Sequence, residues 1–210
     1  TPSTSSAASD VYKRQDILPD LKALRSGNIS VRHNNGFLIT PSGKKYSSLK
    51  VKDIVFVSLD GKYEKKNKPS SEWRFHQDIY IKKKDAQAIV HTHSTNATAL
   101  SVHKKPIPAF HYMVALAGGN DIKCAKYATY GTRELSKNIL KALNNRKACL
   151  IANHGQIAFD KNLPDAFELA QEVENLSLQY ITALKLGKPK ILSINEMNKV
   201  LKKAKNYKRG

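Results

Sequence analysis

Acidic residues are scarce: 17 Asp and Glu stand against 36 Lys and Arg, which leaves a formal charge of +19 over 210 residues. Cysteine is scarcer still. Cys124 and Cys149 form neither a spaced metal pair nor a disulfide framework, and read as reduced thiols of a cytoplasmic protein. No window is apolar for long enough to cross a bilayer, and no charged n-region leads into an apolar h-region as in a secretory signal. The shortage of acid leaves nucleic acid or a membrane surface as formal possibilities. The lysines are scattered, however, and few aromatics alternate with them. The abundance of Lys, Asn and Ile fits the codon usage of an AT-rich genome. Neither nucleic acid nor membrane is therefore expected as a partner, whereas attraction for a phosphorylated substrate fits the same charge.

What is present suits one domain with a large core. Residues 1–15 are set apart. Thr1 to Ser9 is small, polar and of low complexity, and the run SSAASDVYKRQ (5–15) resembles a translated transposase sequencing adaptor. The segment is expected to be a non-native, disordered tail, with the native reading frame starting further upstream and residues 16–210 forming the domain. Beyond it, 28–33 and 37–40 are β-prone runs joined by Asn34-Asn35-Gly36, a hairpin signal. Strands are also expected at 54–57, 87–93, 148–152 and 156–159. Helices are expected from about Ser71, over 95–102, 132–143, 163–186 (Pro164 at its start, Gly187 past its end) and 193–205. Residues 104–130 read as loop-rich. Mixed strands and helices indicate a layered α/β or α+β domain.

The chemistry concentrates around Val90-His91-Thr92-His93. On a strand, residues two apart share a face, so His91 and His93 present two imidazoles side by side. Neutral imidazole suits zinc, but a catalytic zinc usually takes three protein ligands and leaves a position open. His154, in Asn153-His154-Gly155 at a strand end, is the candidate third. A lone histidine is most often an ordinary core or surface residue; a His-x-His at a strand end with a third strand-end His points to a metal. Glu72 and His76, four apart on one predicted helix face, could both reach that metal, and spacing alone does not choose between them. Ser70-Ser71 opens the same helix, where exposed N–H groups and the helix dipole favour an anion, though such a pair is also an ordinary cap. The turns Gly27-Asn28 and Ser42-Gly43 could add donors.

Taken together these segments resemble the class II aldolase/adducin family. The resemblance is carried by Gly27-Asn28-Ile29-Ser30-Val31-Arg32, by Thr40-Pro41-Ser42-Gly43, and by Pro69-Ser70-Ser71-Glu72-Trp73-Arg74-Phe75-His76. Val90-His91-Thr92-His93, Ala109-Phe110-His111-Tyr112-Met113, Tyr127 to Leu135 and Asn153-His154-Gly155 extend it, so that it runs from 27 to about 207. It implies a three-layer αβα domain around a central, largely antiparallel sheet, assembled as a cyclic homotetramer. It also implies one Zn2+ per chain on His91, His93 and His154, with Glu72 as the carboxylate beside it and as catalytic base. His76 then falls outside the metal set. Asn28, Ser42, Gly43, Ser70 and Ser71 would bind the phosphate of a sugar substrate. Tyr112 would be a proton donor supplied across a subunit boundary, and Tyr207 a tail residue closing the site. Arg25-Ser26 departs from the small Thr-containing turn common before Gly-Asn in the aldolases.

The implied reaction is reversible cleavage of a ketose 1-phosphate to dihydroxyacetone phosphate and an aldehyde. Rival readings on the same scaffold are a sugar-phosphate 4-epimerase or a dehydratase, and a non-catalytic adducin-like interaction domain. Glu72 speaks for the aldolase over the epimerases. Retention of all three histidines speaks against a non-catalytic domain.

Overall fold

The computed structural model describes the backbone of residues 26–207 and side chains as far as residue 204. The expectations for residues 1–15 and 16–24 lie outside the described residues. A seven-stranded sheet forms the middle of the molecule. Its strands are β1 (Asn28–His33), β2 (Gly36–Ile39), β3 (Val55–Ser58), β4 (Ala88–Thr92), β7 (Cys124–Ala125), β8 (Ala148–Ile151) and β9 (Gly155–Asp160), in the order β3-β2-β1-β4-β9-β8-β7. Every neighbouring pair is antiparallel except β7 and β8, so the edge strand alone breaks the pattern. Strands β5 (Ile107–Pro108) and β6 (Asp121–Ile122) make a separate two-stranded ladder. The segment read as loop-rich thus contains three two-residue strands and a 3-10 helix over Tyr112–Ala117, too short for any periodicity to announce them.

Helices cover both faces of the sheet. On one side lie α1 (Trp73–Lys82) and α3 (Arg133–Ala142), whose Phe75, Ile79, Leu135 and Ile139 pack with Ile89, Ile151 and Ile157 of the strands. On the other lie α2 (Thr95–Ser101), α4 (Leu163–Lys185) and α5 (Ile194–Tyr207), which pack Leu100, Ala166, Ala170, Val173 and Met197 against Val90, Leu150 and Ala158. Two apolar layers explain why β4, β8 and β9 are buried along their whole length and why Ala88-Ile89-Val90, the whole of β8 and Ile157-Ala158-Phe159 are apolar without alternation. This is the three-layer arrangement around a largely antiparallel sheet.

Local signals account for the helix ends. Asn162 caps α4, its side chain accepting from Asp165 N at 2.7 Å, and Pro164 sits in the first turn. Thr132 caps α3 in the same way through Leu135 N. Helix α1 starts two residues later than the sequence suggests, because Ser71 and Glu72 form the turn that feeds it. No helix among the described residues is long and apolar enough to cross a membrane.

Candidate active site

Strand register assembles the site. Asn28 on β1 lies directly opposite His91 on β4, and paired residues point to the same face, here the one covered by α1. His91 is fully buried, with the Phe75 ring edge-on at 5.3 Å. His93 follows the last ladder pair of β4, where Thr92 meets Gln156. His154 lies in the turn from β8 to β9, with Asn153 before it in the left-handed region at φ 54°. Gly155 lets that turn come close. A Cβ there would sit 2.3 Å from the Thr92 carbonyl oxygen and 3.1 Å from the His93 ring, so a side chain would push the two histidine-bearing segments apart. Gly27 does the same for β1: at φ +81°, a Cβ would lie 2.5 Å from the His91 carbonyl oxygen.

The three imidazoles and Glu72 converge, each offering one ligand atom, all within 4.8 Å of one another. His91 Nε2 lies 3.0 Å from His93 Nε2 and 3.2 Å from Glu72 Oε2, and His154 Nε2 lies 3.1 Å from Glu72 Oε1. His91 Nδ1 is 2.7 Å from the Gln156 carbonyl oxygen, which can only accept. The proton of a neutral His91 is therefore on Nδ1, and its Nε2 lone pair faces a carboxylate and a second imidazole. That juxtaposition is repulsive unless a proton or a metal cation sits among them, and the backbone carbonyl behind His91 fixes the tautomer a metal ligand needs. Glu72 Oε1, buried, receives no hydrogen bond among the described residues. An orphaned carboxylate oxygen amid three imidazole nitrogens is the donor set of a divalent metal, and the four residues fit one. Burial alone would raise the Glu72 pKa; His91 and His154, when protonated, outweigh it and hold the carboxyl far below the usual range. Burial, then the charges of His91 and His154 when protonated, push His93 down to about 3, so its imidazole is neutral.

Beside the metal group opens a cleft of about 340 Å³ lined by Asn28, Ser42, Gly43, Ser70, Ser71, Glu72, His93 and His154. An isolated bridge between Pro41 and Pro69, reinforced by Ser42 N to Lys68 O (3.1 Å) and Ser70 N to Thr40 O (3.0 Å), lays the Ser42-Gly43 turn alongside Ser70-Ser71. Ser70 Oγ accepts from Asn28 Nδ2 at 3.0 Å and from Glu72 N at 3.3 Å, which leaves its own proton to donate into the cleft at the N-terminus of α1. His76, the alternative ligand by spacing, is instead fully buried behind the site, bonded to Ser30 and Asn28. Tyr112 is half exposed at the start of the 3-10 helix and is not among the residues lining the cleft. The Tyr207 side chain lies outside the described residues. Tyr127 and Tyr130 line the cleft mouth and were given no role by the sequence reading. Their loop lacks any local signal of where it folds; it is set there by contact, since a Cβ on Gly131 would lie 2.9 Å from the Ser71 carbonyl oxygen.

Residues 12–181 match the Class II Aldolase and Adducin N-terminal domain. The chain belongs to the class II aldolase and adducin family. Within it, the chain is 52% identical over 182 residues to a 5-methylthioribulose-1-phosphate/5-deoxyribulose-1-phosphate aldolase of Rhodospirillum rubrum, covering 87% of this chain and 82% of that protein. It is 51% identical to an L-fuculose phosphate aldolase of Escherichia coli, over 87% and 85% of the two chains. A solved L-fuculose 1-phosphate aldolase superposes with a TM-score of 0.91 at 40% identity, over 95% of this chain and 96% of that one. The family match begins at residue 12, upstream of the motifs that carry the resemblance in the sequence. Class II aldolases are metal-dependent, in keeping with the donor set found here.

Proposed function

We propose that this protein is a zinc-dependent aldolase that reversibly cleaves a ketose 1-phosphate, with L-fuculose 1-phosphate as the model substrate, to dihydroxyacetone phosphate and an aldehyde such as L-lactaldehyde. The observation that carries the reading is the carboxylate of Glu72 held among three imidazole nitrogens at the floor of a cleft whose rim is hydroxyls and a helix N-terminus. Zinc bound by His91, His93, His154 and, at rest, Glu72 would supply Lewis-acid stabilisation of negative charge on the substrate oxygens. Asn28, Ser42, Gly43, Ser70 and Ser71 bind the phosphate, and this end of the substrate is the part common to all ketose 1-phosphates. Glu72 removes the carbon-bound proton of dihydroxyacetone phosphate, and the carbon so activated adds to the aldehyde. Tyr112, presented by a neighbouring subunit of a homotetramer, gives its proton to the new alkoxide. Tyr207 closes over the bound substrate. Cleavage runs these steps backwards. Free Cys124 and Cys149 support a cytoplasmic site of action.

A second substrate reading rests on the 52% identity to the methylthioribulose/deoxyribulose phosphate enzyme. It shares the metal, the base and the phosphate pocket and differs in the aldehyde released. Retro-aldol turnover on L-fuculose, 5-deoxyribulose and 5-methylthioribulose 1-phosphates, with zinc content measured on the same preparation, tests both. Release of dihydroxyacetone phosphate from the first at the highest kcat/KM is expected. Preference for either five-carbon substrate would establish the second reading, and no release from any would refute the aldolase.

A further inference from the structure

Behind Glu72, helix α1 and strand β1 face each other through a buried row of polar groups. Glu72, His76 and Tyr80 are spaced four apart and lie on one helix face. Asn28 and Ser30 are spaced two apart and lie on the strand face opposite. Tyr80, Ser30 and His76 are fully buried and Asn28 is nearly so. The bonds run in one chain: Tyr80 Oη to Ser30 Oγ at 2.8 Å, Ser30 Oγ to His76 Nδ1 at 2.7 Å, His76 Nε2 to Asn28 Oδ1 at 2.5 Å, and Asn28 Nδ2 to Glu72 Oε2 at 3.0 Å. Asn28 Nδ2 also reaches Ser70 Oγ at 3.0 Å.

Chemistry orients every link. A carboxylate only accepts, so the Asn28 group facing Glu72 is the NH2, and its Oδ1 faces His76. That oxygen only accepts, so His76 carries its proton on Nε2. His76 Nδ1 is then bare and accepts from Ser30, whose oxygen accepts from Tyr80. With the opposite tautomer, a lone pair would meet Asn28 Oδ1 at 2.5 Å, and with the Asn28 amide reversed, an oxygen would meet the carboxylate. Glu72 of the metal group and Ser70 of the cleft thus share one amide donor, and that amide is held from behind by one imidazole N–H. Burial leaves it no water to replace this partner.

We propose that His76 is a positioning residue: its Nε2–H locks the Asn28 side-chain amide with nitrogen toward Glu72 and Ser70, and so holds the Glu72 carboxylate in the metal group. The role deepens the aldolase reading and rests on it for its catalytic consequence, though not for its effect on the metal. His76 touches neither substrate nor metal. It acts through Asn28, and packing alone would not require a donor at this place.

The test compares His76→Gln, whose amide nitrogen reaches the place of Nε2, with His76→Asn, whose shorter amide does not. Zinc affinity is read by chelator competition on folded protein, and kcat and KM by retro-aldol turnover. His76→Asn is expected to lower zinc affinity and kcat each by about 10- to 100-fold, and His76→Gln to recover both to within about threefold of wild type. In an Asn28→Ala background, His76→Asn should add less than about twofold, because the path runs through that amide. Equal losses in the two His76 variants, wild-type zinc affinity in His76→Asn, or losses that multiply with Asn28→Ala would each overturn the proposal. A wild-type protein that binds zinc but cleaves no ketose 1-phosphate would refute the aldolase reading instead, and zinc affinity would still decide the role of His76.

Discussion

Glu72 is held by neighbours of different chemistry: His91 and His154 at its two oxygens, and the Asn28 amide on Oε2. A group so placed can give up a metal contact and take a proton without leaving its pocket. Glu72→Gln keeps the shape and, on the proposed mechanism, loses the base. It is expected to reduce kcat by about two to four orders of magnitude, the scale of a positioned general base. Exchange of the dihydroxyacetone phosphate carbon-bound proton at the wild-type rate would contradict this, with zinc content checked in parallel. His76 gives a pH signature. Burial first, then the charge of His91, lowers its pKa from 6.5 to about 3, with Glu72 opposing. The native state keeps it neutral while the unfolded chain takes up a proton below about 6.5. Its contribution to stability is therefore complete above pH 6.5 and lost as pH falls toward 3. Urea unfolding of metal-free protein should show a steeper loss across that window in wild type than in His76→Gln, and equal slopes would contradict it.

At the scale of elements, the site depends on how ends are finished. Strand β4 stops at Thr92 so that His93 can turn toward His154, and Gly155 sets the approach of β9. The turn that leads into helix α1 contributes Ser70, Ser71 and Glu72 to the cleft, and the helix itself contributes His76 and Tyr80 to the row behind it. Helix α4 is different: its 23 residues span about 35 Å at 1.5 Å per residue and serve as a brace for β4 and β9. Its cap is solvent-exposed and remote from the chemistry, so Asn162→Ala should cost about 1 kcal/mol of stability, read as a lower urea midpoint. Turnover at 25 °C should not change. An unaltered midpoint would show that water satisfies the Asp165 N–H equally well.

At the scale of the whole molecule, Tyr112 stands apart from the cleft of its own chain. If a neighbouring subunit supplies it, Glu72→Gln and Tyr112→Phe proteins, each inactive, should complement. Random mixing into cyclic tetramers would pair an intact Glu72 with an intact Tyr112 at about a quarter of the sites. Activity should rise on mixing after reversible dissociation; its absence in a verified hybrid would place the proton donor elsewhere. Residues 1–15 carry no apolar periodicity with which to offset the ordering cost of about 1–2 kcal/mol per residue. Removing Thr1 to Gln15 should leave zinc content and turnover unchanged, and loss of folding on removal would make the segment part of the domain.

Local patterns in the sequence were enough to place most elements and to single out the three histidines that the fold brings together. Asn34-Asn35-Gly36 announces the β1–β2 hairpin and Pro164 and Gly187 bracket α4, because turn chemistry acts over a few residues; the His91-Thr92-His93 spacing brings two imidazoles together, although β4 ends at Thr92 and His93 lies just past it. The choice between Glu72 and His76 was not legible from spacing. Both lie on the same face of α1, and the packing of that helix on β1 decides that one reaches the metal group while the other is buried one turn behind it. The orientation of the Asn28 amide was equally hidden, since it depends on a carboxylate 44 residues away and an imidazole 48 residues away. The same holds for Tyr127 and Tyr130, carried to the cleft mouth by a loop that follows no period. Periodicity and capping are properties of neighbours along the chain; which polar group faces which across a helix–strand interface exists only once the layers have packed.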